Sequence, residues 1–115
     1  MWIMISGPYR SGSSDPAVWA QNLEAMNKAA FQVFQKGHVP VIGVNGALPI
    51  IKIAGEQHYD SLMMPISMAL ADRCDAVWRI GGPSKGADEE MNLFIRKGLP
   101  VYRDVNSIPM ESTHS

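Results

Sequence analysis

The sequence is poor in cysteine and histidine, the residues that most often form cross-links and metal sites. A single cysteine, Cys74, excludes an intrachain disulfide. Because no cluster of histidine or lysine stands near it in the chain, we expect Cys74 to be a buried structural thiol rather than a nucleophile. Three histidines, His38, His58 and His114, lie far apart and lack the spacing of metal ligands. We therefore expect neither a metal site nor another cofactor.

Strong charge of either sign and long apolar runs are also missing. Ten lysines and arginines stand against eleven aspartates and glutamates, and no basic run occurs. We therefore expect no nucleic-acid polymer as a partner, although a single nucleotide needs only one or two positive groups. The apolar start, residues 1–5, is too short for a signal peptide, and no run approaches membrane-spanning length. These absences predict a cytoplasmic protein with no membrane partner.

What the sequence does have is the composition of one globular domain. Of its residues, 46% are apolar and 18% are charged, as in globular proteins. A length of 115 residues suffices for one hydrophobic core and is too short for two. Because the last residues are polar, we expect a single domain over residues 1–110 and a loose tail over 111–115.

Short apolar runs alternate with helical spacings along the chain. We predict strands over residues 2–6, 39–44, 75–80 and 99–102. We predict helices over residues 16–36, 50–54, 59–73 and 87–97, and a turn over residues 45–49. Pro65 either kinks the helix over 59–73 or marks its start. This order predicts an α/β fold, a three-layer, Rossmann-like parallel sheet with helices on both faces.

In such sheets, ligands bind beyond the carboxyl ends of the strands, where the loops over 7–14, 45–49 and 81–86 converge. Ser84, with the N–H groups that follow it up to Gly86, is a candidate phosphate cradle, although a serine there also suits a helix cap. The first loop adds further candidate contacts to a sugar phosphate, namely Gly7, Arg10 and Ser11. The alternative interpretation of Arg10 is an exposed surface arginine.

Glu90 is the candidate nucleophile. It stands four residues after Gly86, so its carboxylate can point back over the glycine loop. A carboxylate there can attack an anomeric carbon and form a glycosyl-enzyme ester. The alternative is that acidic residues merely complement the dipole of the helix, an interpretation that we favour for Asp88 and Glu89.

Two more residues have a functional and a structural interpretation. Tyr9 is placed to stack on a base or to bond a sugar, and it is equally suited to a half-buried position at the sheet edge. Asn45, just after the second strand, is a candidate base or ribose contact and also an ordinary turn former.

The element Pro83-Ser84-x-Gly86-x-x-x-Glu90 resembles one found in 2′-deoxynucleoside 5′-phosphate N-hydrolases, of the nucleoside 2-deoxyribosyltransferase superfamily. The loop from Gly7 to Arg10 is similar to the first phosphate-side loop of those hydrolases. The resemblance implies a flavodoxin-like fold, a homodimer or larger oligomer, and a nucleoside or nucleotide substrate. It also implies that Glu90 attacks C1′ and that Arg10 and Ser84 bind the phosphate.

Two positions depart from that superfamily. Met4 stands where a tyrosine is usual, and Ser67 stands where an aspartate is usual. Those groups orient the nucleophile and assist the leaving base, so Tyr9, Asp60 or Asp88 would have to substitute. A non-catalytic nucleotide-binding module remains an alternative. So does a ribonucleotide phosphoribohydrolase, although its usual Gly-Thr is here Gly-Ala.

Overall fold

A computed structural model describes residues 1–111 and contains a four-stranded, all-parallel sheet with the strand order β2-β1-β3-β4. The strands are β1 (Trp2–Ser6), β2 (Val39–Val41), β3 (Ala76–Arg79) and β4 (Val101–Tyr102). The central strand β1 pairs with both neighbours, Trp2 opposite Val39 and Ile3 opposite Ala76. The predicted α/β class is confirmed, and the strand order is the flavodoxin-like one.

Four α-helices connect and cover the strands. They are α1 (Pro16–Gln35), α2 (Gly43–Ala54), α3 (Tyr59–Ala71) and α4 (Lys85–Lys97). Two single-turn 3₁₀ helices, Glu56–His58 and Val105–Ser107, precede α3 and follow β4.

The alternation of side chains along β1 builds the three layers. Ile3 and Ile5 pack with Met26 and Val33 of α1 on one face of the sheet. Met4, between them, packs with Phe94 of α4 on the other face. All six side chains are buried, so the sheet has a core on each side.

The predicted helix ends are confirmed at the start of α1 and at the end of α4. The Asp15 carboxylate accepts the Ala17 N–H at 2.9 Å, and Pro16 is the first residue of α1. At the far end of α4, Gly98 adopts the left-handed conformation with φ of 70°. Local chemistry therefore sets these boundaries.

The predicted strand over 39–44 and the turn over 45–49 are wrong in extent and type. The strand ends at Val41, and helix α2 begins at Gly43 and runs through Pro49. Burial of Ala47 and Ile51 against Met63 of α3 stabilises this helix. Tertiary packing thus overrides the turn propensity of the segment.

The start of α3 decides between the two interpretations of Pro65. The helix begins at Tyr59 and contains Pro65 in its second turn, so proline does not mark its start. Helix α4 begins at Lys85, two residues earlier than predicted, because Ser84 caps it.

Two further predictions concern Cys74, expected to be buried, and a loose tail over residues 111–115. Cys74 is buried, and burial raises the pKa of its thiol to about 11, which fits a structural role. The Glu111 N–H donates to the Lys36 carbonyl at 2.8 Å, and the rest of the predicted tail, residues 112–115, lies outside the described residues. Within residues 1–111, no helix is both long and apolar enough to cross a membrane.

Candidate functional site

A cavity of about 640 Å³ opens at the carboxyl edge of the sheet. Its wall comes from the loop after β1, the start of α2, one face of α3, and the loop and first turns of α4. Eight of the residues predicted for the site line it: Gly7, Tyr9, Arg10, Ser11, Ser67, Ser84, Gly86 and Glu90. The topology therefore brings together the two loops on which the sequence-based hypothesis depends.

Glu90 is a buried carboxylate at this cavity. Its side chain projects from the second turn of α4, and the residue is 8% exposed. The Ser6 hydroxyl, at the end of β1, donates to Glu90 Oε1 at 2.7 Å. The carboxylate is thus held by a neighbouring strand and remains in contact with the cavity.

The protonation of Glu90 is shifted by its surroundings. Burial raises the pKa of this carboxyl to about 7, and the charge of Glu89 adds to the effect. The hydrogen bond from Ser6 and the positive charge of Arg79 act in the opposite direction. Near neutral pH the group therefore exchanges between the neutral acid and the carboxylate.

The other carboxylate oxygen lies beside the start of α2. A Cβ atom at Gly43 would be 3.1 Å from Glu90 Oε2 and 2.3 Å from the Ser67 hydroxyl oxygen. Glycine is therefore required for this close approach of α2, α3 and α4. The Ser67 hydroxyl is buried and has a long contact, 3.9 Å, with the Met63 sulfur.

The glycine loop after β3 is organised by a buried arginine that the sequence analysis did not assign to the site. Arg79 Nη2 donates to the Gly82 carbonyl at 2.9 Å, and its Nε donates to Asp88 at 3.1 Å. Asp88 therefore pairs with Arg79 and lies outside the cavity. Ser84 accepts the Ala87 N–H at 3.2 Å, so it caps α4 as well as lining the cavity.

Arg10 lies in a cage of aromatic and acidic groups at the cavity wall. Its guanidinium carbon is 4.1 Å from the centre of the Trp19 ring and 3.7 Å from that of Tyr59. Its Nη1 donates to Glu56, of the 3₁₀ helix before α3. This hydrogen bond holds the pKa of Glu56 below its usual range, so Glu56 is ionised at neutral pH.

Other loop residues line the cavity through local constraints. A Cβ atom at Gly7 would come within 2.8 Å of the Ile80 side chain, so β1 and β3 approach closely there. Ser11 has φ of 44°, in the left-handed region, which turns the loop over the cavity. The Tyr9 ring packs against Trp19, with centroids 6.3 Å apart, and also lines the cavity.

Asn45 is the predicted contact that the fold places elsewhere. It lies on α2, where its amide donates to Asn27 of α1 at 2.8 Å, away from the cavity. The reason is the helical conformation of the segment that we predicted as a turn.

Several residues at the cavity or directly behind it were missed or named only in passing by the sequence analysis. Ser6 is the last residue of β1, a position that the carboxyl-edge rule for parallel sheets indicates. Tyr59 and Met63, one turn apart on α3, also line the cavity together with Asp60, which was named only as a possible substitute, and Pro65 obscured that helix start.

The cavity wall carries two acidic side chains, Asp60 and Glu90, two basic ones, Arg10 and Lys85, and several hydrogen-bonding groups. Among residues 1–111, no group of three His, Cys, Asp or Glu side chains is arranged to hold a metal ion.

Comparison with models of known protein families found no match, and a search of curated proteins found none either.

Proposed function

We propose that this protein cleaves the N-glycosidic bond of a nucleoside or nucleotide, by hydrolysis or by deoxyribosyl transfer, with Glu90 as the nucleophile. The observation that carries the proposal is the buried Glu90 carboxylate, held by Ser6 at a cavity large enough for a nucleoside. The resemblance to the nucleoside 2-deoxyribosyltransferase superfamily points to the same chemistry and stays a prediction.

The reaction would proceed in two displacements. The ionised Glu90 attacks C1′, the bond from C1′ to the base nitrogen breaks, and its electron pair leaves with the base, which takes up a proton. Water, or a second base, then attacks C1′ of the ester and loses a proton to the group that protonated the leaving base, while the bond from C1′ to the Glu90 oxygen breaks and releases the carboxylate. Ser6 would fix the orientation of the carboxylate in both steps.

The proton for the leaving base must come from another group. Ser67 has no carboxyl group that could donate this proton near neutral pH. Asp60 and Tyr9 line the cavity and are the candidates that we retain. The ion pair of Asp88 with Arg79 argues against a catalytic role for Asp88.

Glu90→Gln should abolish base release while preserving ligand binding, because the amide keeps the shape of the side chain and removes the nucleophile. The measurement is free base, separated chromatographically, after incubation with a panel of ribo- and 2′-deoxynucleosides and their 5′-monophosphates. Glu24→Gln is the matched control, since Glu24 is exposed on α1 and lies outside the cavity. Base release by Glu90→Gln at the wild-type rate would reject the mechanism.

One observation favours a second candidate, a nucleotide-binding module without catalysis. The buried Ser67 lies beside Glu90 at the position where the resembled enzymes have a carboxylate. In that case the nucleotide panel would raise the unfolding temperature of the wild-type protein and no free base would appear.

We also propose that the protein acts as a homodimer or larger oligomer. Large apolar side chains on α1 and α2 are exposed, among them Phe31 and Phe34 at 62% and 64% and Ile53 at 90%. Exposed apolar groups of this size are typical of surfaces that a second copy covers.

A further inference from the structure

We propose that Glu56 makes the cavity selective for uncharged nucleosides over their 5′-phosphates, because its carboxylate forms an ion pair with Arg10, the cation that a phosphate would need. This inference rests on the proposed function and assigns the substrate class of the same site. Its basis is the environment of Arg10, which a sequence alone presents as an available cation.

The charge of Arg10 is already matched within the protein. Its guanidinium forms an ion pair with Glu56 and lies over the rings of Trp19 and Tyr59. Only 22% of the Arg10 side chain is exposed. A phosphate that approached this group would therefore have to displace Glu56 or bind beside its negative charge.

The other charged groups at the cavity do not make up for this pairing. Lys85 and Arg10 are the positive side chains of the wall, and Asp60 and Glu90 are the acidic ones. A 5′-phosphate carries close to two negative charges at pH 7. With Glu56 beside the wall, the described residues present no excess of positive charge to such a dianion.

An uncharged 5′-hydroxyl needs much less from the same wall. The first turn of α4, from Lys85, directs backbone N–H groups toward the end capped by Ser84. A hydroxyl group can accept one such N–H without a counter-charge. The same N–H groups can also donate to a phosphate, so Glu56, whose negative charge repels only the phosphate, decides between the two ligands.

A different role for Glu56 gives the opposite expectation. If Glu56 only braced Arg10 for phosphate binding, its removal would loosen the guanidinium and weaken the binding of 5′-monophosphates. The two roles therefore predict opposite signs for one substitution.

The test is calorimetric titration of four 2′-deoxynucleosides and their 5′-monophosphates into Glu90→Gln, which prevents turnover, and into the same protein with Glu56→Gln added. We expect Glu90→Gln to bind at least one nucleoside more tightly than its monophosphate. Adding Glu56→Gln should tighten monophosphate binding about fivefold, since an exposed charge pair acts on this scale, and should leave nucleoside binding unchanged. Glu24→Gln, at the exposed pair with Lys28 on α1, is the matched control and should change neither affinity.

Two results would overturn the selectivity while leaving the proposed function intact. One is tighter binding of monophosphates than of nucleosides by Glu90→Gln. The other is unchanged or weaker monophosphate binding after Glu56→Gln. If neither class of ligand binds to any variant, the proposed function itself fails, and the assignment of substrate class fails with it.

Discussion

At the scale of single residues, the burial of Glu90 and the chemistry that we propose for it favour opposite charge states of its carboxyl group. Burial favours the protonated carboxyl and raises its pKa to about 7, whereas nucleophilic attack requires the carboxylate. Ser6 relieves part of this conflict, because its hydroxyl donates to the ionised form. The pair of side chains therefore sets the pH at which the proposed chemistry begins.

This conflict predicts the pH dependence of base release. Because the pKa is raised from its ordinary value near 4.5 to about 7, Glu90 is protonated and inactive over a wider acidic range. We expect kcat/KM to fall below about pH 7 as the pH is lowered, rather than below pH 4.5. Ser6→Ala removes a donor that stabilises the carboxylate, so the acidic limb should move to higher pH.

The measurement is the pH profile of kcat/KM for wild type, Ser6→Ala and Ser61→Ala. Ser61 is a matched control, since its hydroxyl donates to the His58 carbonyl on the exposed start of α3. An acidic limb near pH 4.5 in the wild type, or a limb that Ser6→Ala leaves in place, would contradict the role assigned to the pair.

At the scale of elements, two helix caps each accept a backbone N–H, in different surroundings. Asp15 accepts the Ala17 N–H at the start of α1, and Ser84 accepts the Ala87 N–H at the start of α4. We expect Asp15→Ala and Ser84→Ala each to lower the free energy of unfolding by about 1 kcal/mol, because each leaves an N–H without its cap. Only Ser84→Ala should also weaken nucleoside binding, since Ser84 lines the cavity.

Urea unfolding and calorimetric titration of both variants separate the two effects. The Asp15→Ala protein serves as the control for loss of a cap without loss of a cavity contact. Equal nucleoside affinities of the two variants would mean that Ser84 acts as a cap alone.

The elements that the sequence predicted well are those whose ends are marked by local chemistry. Asp15-Pro16 and Gly98 mark helix ends that any tertiary structure would respect. The segment from Gly43 to Ala54 behaves differently. A Cβ atom at Gly46 would come within 2.9 Å of the Leu70 side chain, so this glycine serves the packing of α2 on α3 and not a turn. No single-sequence pattern distinguishes these two uses of glycine.

The same distinction applies to the site. Glu90 and Ser84 could be predicted because they follow a glycine loop at the carboxyl edge of the sheet, a rule of parallel sheets. The partners that give them their properties could not. Glu56 reaches Arg10 from an element 46 positions away, and the packing of α2 and α3 that brings them together depends on long-range burial.

At the scale of the whole molecule, three helices and the central strand meet where the proposed chemistry takes place. The start of α2, the middle of α3 and the second turn of α4 approach one another around the Cα atom of Gly43. Ser6 of β1 joins them through its bond to Glu90. Because all four elements contribute to this contact, it exists only in the assembled fold, and a change of one atom at its centre should affect both stability and binding.

Gly43→Ala tests this arrangement. Its Cβ atom would lie 2.3 Å from the Ser67 oxygen and 2.7 Å from the Ser67 Cβ, so α2 or α3 must shift. We expect the free energy of unfolding in urea to fall by about 2 kcal/mol, and nucleoside binding to weaken because Glu90 Oε2 lies at the same contact. Gly82→Ala is the matched control, since a Cβ there meets no atom within 4 Å, and it should change stability by less than about 0.5 kcal/mol.

The cause of the loss can be assigned by combining substitutions. In a Ser67→Gly background both clashing atoms are gone, so the further change Gly43→Ala should lower stability much less than it does in the wild type. An equal loss in both backgrounds would mean that the backbone of α2, and not the contact with Ser67, requires glycine at position 43. That outcome would mean that the contact with Ser67 does not hold the three helices together. The loss of stability in Gly43→Ala would then give no reason to expect weaker nucleoside binding.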